Sequence, residues 1–341
     1  MGSGILRRII DIFREGRDLE ESDAEAVLDA LIGETDEALM ADVFRKWDAK
    51  GIAEDEIYSF AKVLRSRMIR VDSRYETCVD IVGTGGSRMK TFNVSTAAAF
   101  VVAGAGVPVA KHGNKAATSS SGSADVLSEL GIDAAAAPDI SERNLNQIGM
   151  CFLFAPNHHR LSPTLAKVRR GLGFPTIFNC VGPLCNPASA PHQLIGVWNL
   201  ELLPKMANAL ARLGTNRSWI VHGEDGLDEI TISGKTFVAE VDGRGVRRIE
   251  IEPDDLGISS GKTEILRTRT AAESAAVIRE VLSGKNANTA AERVVVANAA
   301  TALYLSGQAE TLGDGSALAA DSIESGEALK KMQQLSEMTR K

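Results

Sequence analysis

With 341 residues, 44% of them apolar and 24% charged, the chain suits one large globular domain or two unequal ones, and it buries enough surface to fold without staples. A formal net charge of −7 argues against a dedicated polyanion binder, so no nucleic-acid partner is expected. The four cysteines, Cys78, Cys151, Cys180 and Cys185, form no CxxC pair and have no histidines at zinc spacing, which predicts buried or half-buried reduced thiols. The longest apolar run, Ala97 to Ala110, has 14 residues broken by glycines and Pro108, too short to span a bilayer. The first residues resemble neither a lipidation signal nor a secretory leader. A soluble cytoplasmic protein with no membrane partner is expected.

From Gly4 to about Val71 the apolar residues recur at helical spacing: Ile5, Ile9, Ile10 and Phe13, then Ala26, Leu28 and Leu31, then Ala38, Met40, Phe44 and Trp47, then Ile57, Phe60, Val63 and Leu64. Gly33 and Gly51 punctuate them, and Asp23 is placed to cap the second, so four short helices are predicted. At Cys78 the pattern changes. Short apolar strands are predicted at Cys78–Val82, Val107–Ala110, Cys151–Phe154, Pro175–Phe178, Gln193–Val197 and Trp219–Val221, with helices between them such as Ser123–Leu130 and Leu202–Leu213. Residues 228–252 read as a hairpin region, and helices from Ala271 and Ala290 finish the chain. The alternation predicts an α/β fold: a small N-terminal helical domain, residues 1–72, and a larger α/β domain, residues 73–341, with a mainly parallel central sheet. The helix around Thr164 to Leu172 has the composition of the first four, so helices near 160–190 are expected to join them.

Three loops carry chemistry. Gly83-Thr84-Gly85-Gly86-Ser87 leads through Thr91 and Asn93 to a helix start at Ser95 and Thr96, where glycines let a backbone approach an anion and free N–H groups face it. A plain strand-to-helix turn has the same composition. Lys111-His112-Gly113-Asn114-Lys115, followed by Thr118 to Ser123, offers two cations and several hydroxyls suited to a phosphate or pyrophosphate, or else a solvated, capped loop. Neither matches a Walker loop or a dinucleotide fingerprint. The third loop, His222 to Glu229, sets four carboxylates within six residues, which repel one another unless a cation such as Mg²⁺ sits among them or the turn is exposed. Asn157-His158-His159 reads as wall and hydrogen-bonding residues, and Arg169 or Arg170 as a clamp for a carboxylate or a solvated basic face. No nucleophile elbow is present.

The segments Asp80–Gly86, Asn93–Thr96, Lys111–Asn114, Ser121–Asp125, Phe154–His159, Ile177–Asn179 with Gly182–Leu184 and Asn186-Pro187, and Asp225–Glu229 resemble anthranilate phosphoribosyltransferase in order and spacing, over essentially the whole chain. The resemblance implies transfer of a phosphoribosyl group from phosphoribosyl pyrophosphate to anthranilate, a homodimer, and Mg²⁺ as cofactor. It implies a donor shell of Gly83, Gly86, Ser87, Thr91, Asn93, Val94, Ser95, Thr96, Lys111, His112, Gly113, Asn114, Lys115, Ala116, Ala117, Thr118, Ser119 and Ser123. It places anthranilate against Gly83, Asn114 and Arg169, and metal at Ser95, Asp228 and Glu229. His112 is then a candidate substrate-wall residue rather than a base. The chain departs from the family pattern at Ser87, where Asp is usual, at Ser120, where a basic residue is frequent, and at Lys115, where Arg is more usual. Altered affinity or metal dependence is expected, with activity retained. Rival readings are a related nucleoside phosphorylase, a non-catalytic relative, and transfer to another aromatic amine.

Overall fold

Regular apolar spacing makes the first part of the chain helical. Helix α1 (Gly2–Arg14) buries Leu6, Ile9, Ile10 and Phe13 on one stripe. A 3-10 turn (Glu21–Asp23) leads to α2 (Ala24–Gly33), α3 (Glu37–Lys50) and α4 (Glu54–Arg67). The computed structural model describes residues 2–86, 89–115, 122–243, 245–285 and 287–340. Asp23 does not cap α2 as expected. The 3-10 turn runs straight into the helix, the Asp23 backbone is itself helical, and its carboxylate pairs with Arg8 at 2.5 Å. The side-chain cap comes one helix later, where Asp36 accepts from the Ala38 and Leu39 N–H groups.

A single carboxylate ties this helical layer together. Glu56, 1% exposed, accepts from Leu19 N at 3.0 Å, Trp47 Nε1 at 2.8 Å, Ala53 N at 2.9 Å and Lys50 Nζ at 3.0 Å. Phe13 and Phe60 flank the Trp47 ring at centroid distances of 5.0 and 5.2 Å. Four donors on one buried carboxylate offset its desolvation.

From Val79 strands and helices alternate: β1 (Val79–Gly83), α5 (Val94–Gly104), β2 (Val109–Gly113), α6 (Ser123–Glu129), α7 (Pro138–Ile148), β3 (Met150–Phe154), α8 (Ala155–His159), α9 (Pro163–Leu172), α10 (Ile177–Val181), β4 (His192–Gly196), α11 (Leu202–Leu213), β5 (Arg217–Gly223), β6 (Thr236–Asp242), β7 (Gly245–Ile251), and then α12 (Ala271–Leu282), α13 (Ala290–Leu305), α14 (Leu312–Glu324) and α15 (Glu327–Thr339). The strands form one sheet in the order β3-β2-β1-β4-β5-β6-β7. The first five are parallel, and β6 and β7 add an antiparallel hairpin. The mainly parallel α/β plan is therefore present.

Strand residues alternate between two apolar layers. Val79 and Ile81 of β1 face a core built with α5, α6 and α12 to α15. Val82, Ile195 and Ile220 face the other way, into one cluster with Phe44 and Leu64 of the first helices, Leu165 of α9, Phe178 of α10 and Met206 of α11. The first four helices thus share their core with α9 to α11 and with one face of the sheet. Helix α9 packs on α3 and α2, as its composition suggested.

Two segments depart from expectation. Residues 175–178 are not a strand: Ile177–Val181 is the short helix α10, whose start is fixed by Asn179 Oδ1 accepting from Thr176 N at 2.9 Å. A four-residue apolar run fits a strand or a buried helix equally, and here burial in the helical layer decides. Strand β2 starts two residues later and ends three residues later than expected, because pairing with β3 continues through Lys111↔Phe152, His112↔Leu153 and Gly113↔Phe154. All four cysteines are free and buried. Among the described residues no helix is long and apolar enough to cross a membrane.

Replacing Glu56 by Ala leaves three N–H donors and the Lys50 ammonium without their shared acceptor. The unfolding free energy should fall by about 3–5 kcal/mol, with Glu56→Gln losing less. Urea titration followed by the fluorescence of buried Trp47 measures both.

Candidate active site

The strand order reverses between β1 and β4: the chain steps from β1 to β2 and β3 on one side and returns to β4 and β5 on the other. Ligands bind beyond the carboxyl ends of strands at such a switch, where neighbouring loops diverge. A cleft of about 270 Å³ opens there. Leu64, Leu161, Arg169, Phe178 and Asn179 of the helical layer line one wall, and the loops after β1, β2 and β5 line the other.

The acidic loop after β5 lies directly on the strand ends. A Cβ on Gly196 would fall 1.6 Å from the Asp228 carbonyl oxygen, and one on Gly83 would fall 2.9 Å from Asp228 Oδ2. Only glycine allows that approach. The nearby backbone N–H groups of Asp228 itself and Gly85 favour the charged form of the Asp228 carboxyl. Glu229 Oε1 accepts from Ser95 N at 3.2 Å, at the first turn of α5, where the helix presents its positive end. Beneath them Lys111, 2% exposed, donates to the Ile81 carbonyl at 2.6 Å and to Ser95 Oγ at 3.2 Å.

Burial raises the Asp228 carboxyl above its ordinary range; it raises Glu229 as well, and the neighbouring Asp228 charge pushes the same way. Burial lowers the Lys111 ammonium against the pull of Asp80 and Glu229. The two carboxylates therefore stand half-buried in the cleft wall with less positive charge nearby than they can use. Their hard oxygen donors, with the Ser95 hydroxyl beside them, fit a divalent cation such as Mg²⁺. Among the described residues no three His, Cys, Asp or Glu side chains converge on one point, so such a cation would take the rest of its shell from a phosphate ligand and water.

The four carboxylates of the acidic run divide into two pairs. Asp225 Oδ2 accepts from the hydroxyls of Thr231 at 2.7 Å, Ser233 at 2.8 Å and Thr263 at 2.6 Å, and Glu224 Oε2 accepts from Lys235 N at 3.1 Å. Those two hold the turn, and the other two face the cleft.

At the far end of the cleft Arg169 donates through Nε to Thr176 Oγ1 at 3.2 Å and through Nη2 to Asn179 Oδ1 at 3.4 Å, and lies over the Phe178 ring at 4.9 Å. Burial, and then Arg170, lower it to about 10, which leaves it charged at neutral pH. It makes no ion pair with a described carboxylate and retains guanidinium donors for a ligand. Asn179 also donates to the Thr84 carbonyl at 3.1 Å, so one amide joins the arginine to the glycine loop. Between the two ends His112 and His159 share a hydrogen bond, Nε2 to Nε2, at 3.2 Å. Burial puts His159 at about 4 and His112 well below its ordinary value, so both are neutral at pH 7.

Of the residues expected in the site, Gly83, Gly86, Thr91, Asn93, Ser95, Lys111, His112, Gly113, Asn114, Lys115, Ser123, Arg169, Asp228 and Glu229 line this cleft. Val94 and Thr96 do not; both are fully buried, and Val94 joins the apolar layer under α5. Ser87, Ala116, Ala117, Thr118, Ser119 and Ser120 lie outside the described residues. Arg170 is exposed away from the cleft, and His158 is turned inward, bonded to the Ile69 carbonyl at 2.8 Å. Sequence reasoning missed Phe178 and Asn179 as lining residues and Gly196 as the seat of Asp228, whereas His159 stands in the wall as its motif suggested. Asn179 stood inside a quoted motif, but reading its segment as a strand hid its direction.

Residues 75–329 match the family model described as "Glycosyl transferase family, a/b domain". The chain is 45% identical over 316 residues to the anthranilate phosphoribosyltransferase of Desulfitobacterium hafniense (strain DSM 10664 / DCB-2), covering 93% of each chain. It is 44% identical over 325 residues to that of Pelotomaculum thermopropionicum, covering 95% of this chain and 94% of the relative. Its fold is similar to the crystal structure of anthranilate phosphoribosyltransferase from Thermus thermophilus, with TM-score 0.88, 36% identity and coverage of 98% and 99%. The Saccharomyces cerevisiae anthranilate phosphoribosyltransferase in complex with PRPP and Mg gives TM-score 0.89 at 28% identity, covering 98% and 97%. Its complex with 4-fluoroanthranilate gives 0.87 at 27%, covering 99% and 98%.

The buried neutral histidine has a signed consequence. The unfolded imidazole takes up a proton below pH 6.5 and the folded His159 resists until about pH 4, so stability falls as pH drops through that window. By pH 4.5 the loss from His159 alone is about 2 kcal/mol. Denaturant titrations at pH 7 and 4.5 should show wild type losing that much more than His159→Gln; equal losses would remove the buried neutral imidazole.

Proposed function

The chain belongs to the anthranilate phosphoribosyltransferases, and on that premise we propose how its cleft carries the reaction, in which the phosphoribosyl group of 5-phosphoribosyl 1-pyrophosphate passes to the amine of anthranilate in tryptophan biosynthesis and pyrophosphate leaves. The observation that carries the placement is the polarity of one cleft. A helix start, a buried lysine and two half-buried carboxylates stand at one end, and at the other, over an aromatic ring, a guanidinium with no ion pair among the described residues.

The donor lies along the first end. Gly83, Gly86, Thr91, Asn93 and Ser95 present backbone and hydroxyl donors to its pyrophosphate at the start of α5, and Lys111, Asn114, Lys115 and Ser123 close the shell from β2 and α6. Mg²⁺, held by Asp228 and Glu229 with the Ser95 hydroxyl, would supply the charge that neutralises the leaving pyrophosphate. The acceptor lies at the second end, its carboxylate in the fork of Arg169 and its ring beside Phe178.

As the C1–O bond breaks, its electron pair leaves with pyrophosphate while the aryl nitrogen forms the new bond to C1 and then passes its proton to the released pyrophosphate or to water. Positive charge grows on the ribose and negative charge on the leaving group. Lys111 and the Ser95 hydroxyl, already joined at the start of α5, stand at the end of the cleft where the latter develops, so little reorganisation is needed. The aryl amine is uncharged at neutral pH and needs placement more than activation, which Arg169 and Asn179 provide from the helical wall. The neutral His112–His159 pair adds no charge to repel the growing oxocarbenium character. Family membership also supports a homodimer as the working form, which light scattering checks.

Adding phosphoribosyl pyrophosphate and Mg²⁺ should quench anthranilate fluorescence with release of pyrophosphate, and omitting Mg²⁺ should stop it. The Asp228→Asn/Glu229→Gln double variant should lose at least about 100-fold in turnover. It should also melt higher than wild type without cation, because both carboxyls are raised on folding and lose stability as pH rises through their folded values. Full activity in that variant would sink the metal assignment. Arg169→Gln should raise the KM for anthranilate about 10-fold or more with little change for the donor, and Arg169→Lys should restore it only in part, since an ammonium lacks the planar fork.

A further inference from the structure

The carboxylate pair is attached to a stretch of backbone that neither strand nor helix holds. Gly223 bonds back to Leu227 before it, and Thr231 is tied by Thr236 after it. Residues 228–230 pass between these two anchors outside any element. Ile230 is fully buried, so its peptide groups must find partners within the protein.

Both partners are on one side chain. Asn298 Oδ1 accepts from the Ile230 N–H at 3.0 Å, and Asn298 Nδ2 donates to the Ile230 carbonyl at 3.0 Å and to the Val294 carbonyl at 2.8 Å. Asn298 is 0% exposed in the middle of α13, between Val and Ala neighbours, where an amide is a poor helix former and costly to bury unless every bond is made. A two-bond contact to one residue fixes the orientation of its peptides as well as their position. The carrier is rigid, since α13 packs against β4, α5 and α14. One helix therefore sets the acidic loop relative to the start of α5, whose Ser95 N–H meets Glu229.

We propose that Asn298 is a positioning residue for the donor site: it lines no part of the cleft, and it holds Asp228 and Glu229 at the register in which both face a cation and the pyrophosphate it accompanies. The inference rests on the reading of those two carboxylates given under Proposed function. Groups that orient metal-binding carboxylates from behind change cation affinity by about 10–100-fold when removed.

The test uses Mn²⁺ as probe, its binding followed by electron paramagnetic resonance in the presence of phosphoribosyl pyrophosphate, together with the half-saturating Mg²⁺ concentration in the turnover assay. Asn298→Ser is the main variant, with Asn298→Ala beside it. A serine hydroxyl can still bond the Val294 carbonyl, as Thr301 bonds Ala297 at 2.9 Å one turn away, but it is too short to reach Ile230. Val295→Ala, in the apolar layer of the same helix, controls for general loosening. Mn²⁺ affinity should fall, and half-saturating Mg²⁺ should rise, about 10–100-fold in both Asn298 variants, with the anthranilate KM unchanged and Val295→Ala like wild type. Wild-type Mn²⁺ affinity in a folded Asn298→Ser, or an equal shift in Val295→Ala, would overturn the assignment while leaving the site reading in place. Mn²⁺ binding by wild type that Asp228→Asn does not weaken would overturn that reading, and this inference with it.

Discussion

Where Gly196 ends β4, the carbonyl of Asp228 occupies the space that any side chain would fill. The reversal of strand order between β1 and β4 brings two strand ends together with no helix between them, and the acidic loop settles on their bare backbone. That contact places one carboxylate against Gly83 and sends the next to the first turn of α5. Thr84, bonded through both its N–H and its hydroxyl to the Gly196 carbonyl at 2.9 and 3.0 Å, draws the glycine loop onto the same spot. Three loops thus converge because one strand ends in a residue without a Cβ.

Charge is then distributed along the cleft so that neither end is neutral by itself. The acidic end carries two half-buried carboxylates and one buried lysine, and the helical end carries an arginine without an acidic partner among the described residues. Such groups are costly in isolation and useful together, because a ligand that brings phosphate and a cation to one side and a carboxylate to the other satisfies all of them at once. The imidazoles between stay neutral, so the middle of the cleft holds no fixed charge to compete with either end.

Much of this was legible in the sequence, for physical reasons that differ by residue. Periodicity located α11 at Leu202–Leu213 without error and the first four helices to within a few residues, since amphipathic spacing is a local signal. Glycines beside hydroxyls, and lysines after a strand, marked the donor side because that chemistry needs those types in sequence. What escaped was of two kinds. Lys111 and His112 read as loop because polar residues at a strand end look like loop; only their pairing with β3 shows otherwise. Asn179, Gly196 and Asn298 act on partners 95, 112 and 68 residues away, and a single residue at that distance leaves no local pattern. In the acidic run, Asp228 and Glu229 are singled out through the family resemblance; composition alone does not say that Asp225 turns to hydroxyls and Glu224 to a backbone N–H.

The helical layer has a consequence for how the chain comes into being. Helices α1 to α4 are made first, yet the apolar face they present is covered by α9, α10 and α11 and by one side of the sheet. During synthesis that face waits for more than a hundred further residues before its cover exists, since α11 ends at Leu213. Glu56 can gather Leu19, Trp47, Lys50 and Ala53 as soon as it emerges, because all four precede it in the chain. The nascent chain can therefore hold its early helices in shape before it can shield them, and the exposed stripe is the surface on which a holding chaperone would act while the ribosome completes the sheet.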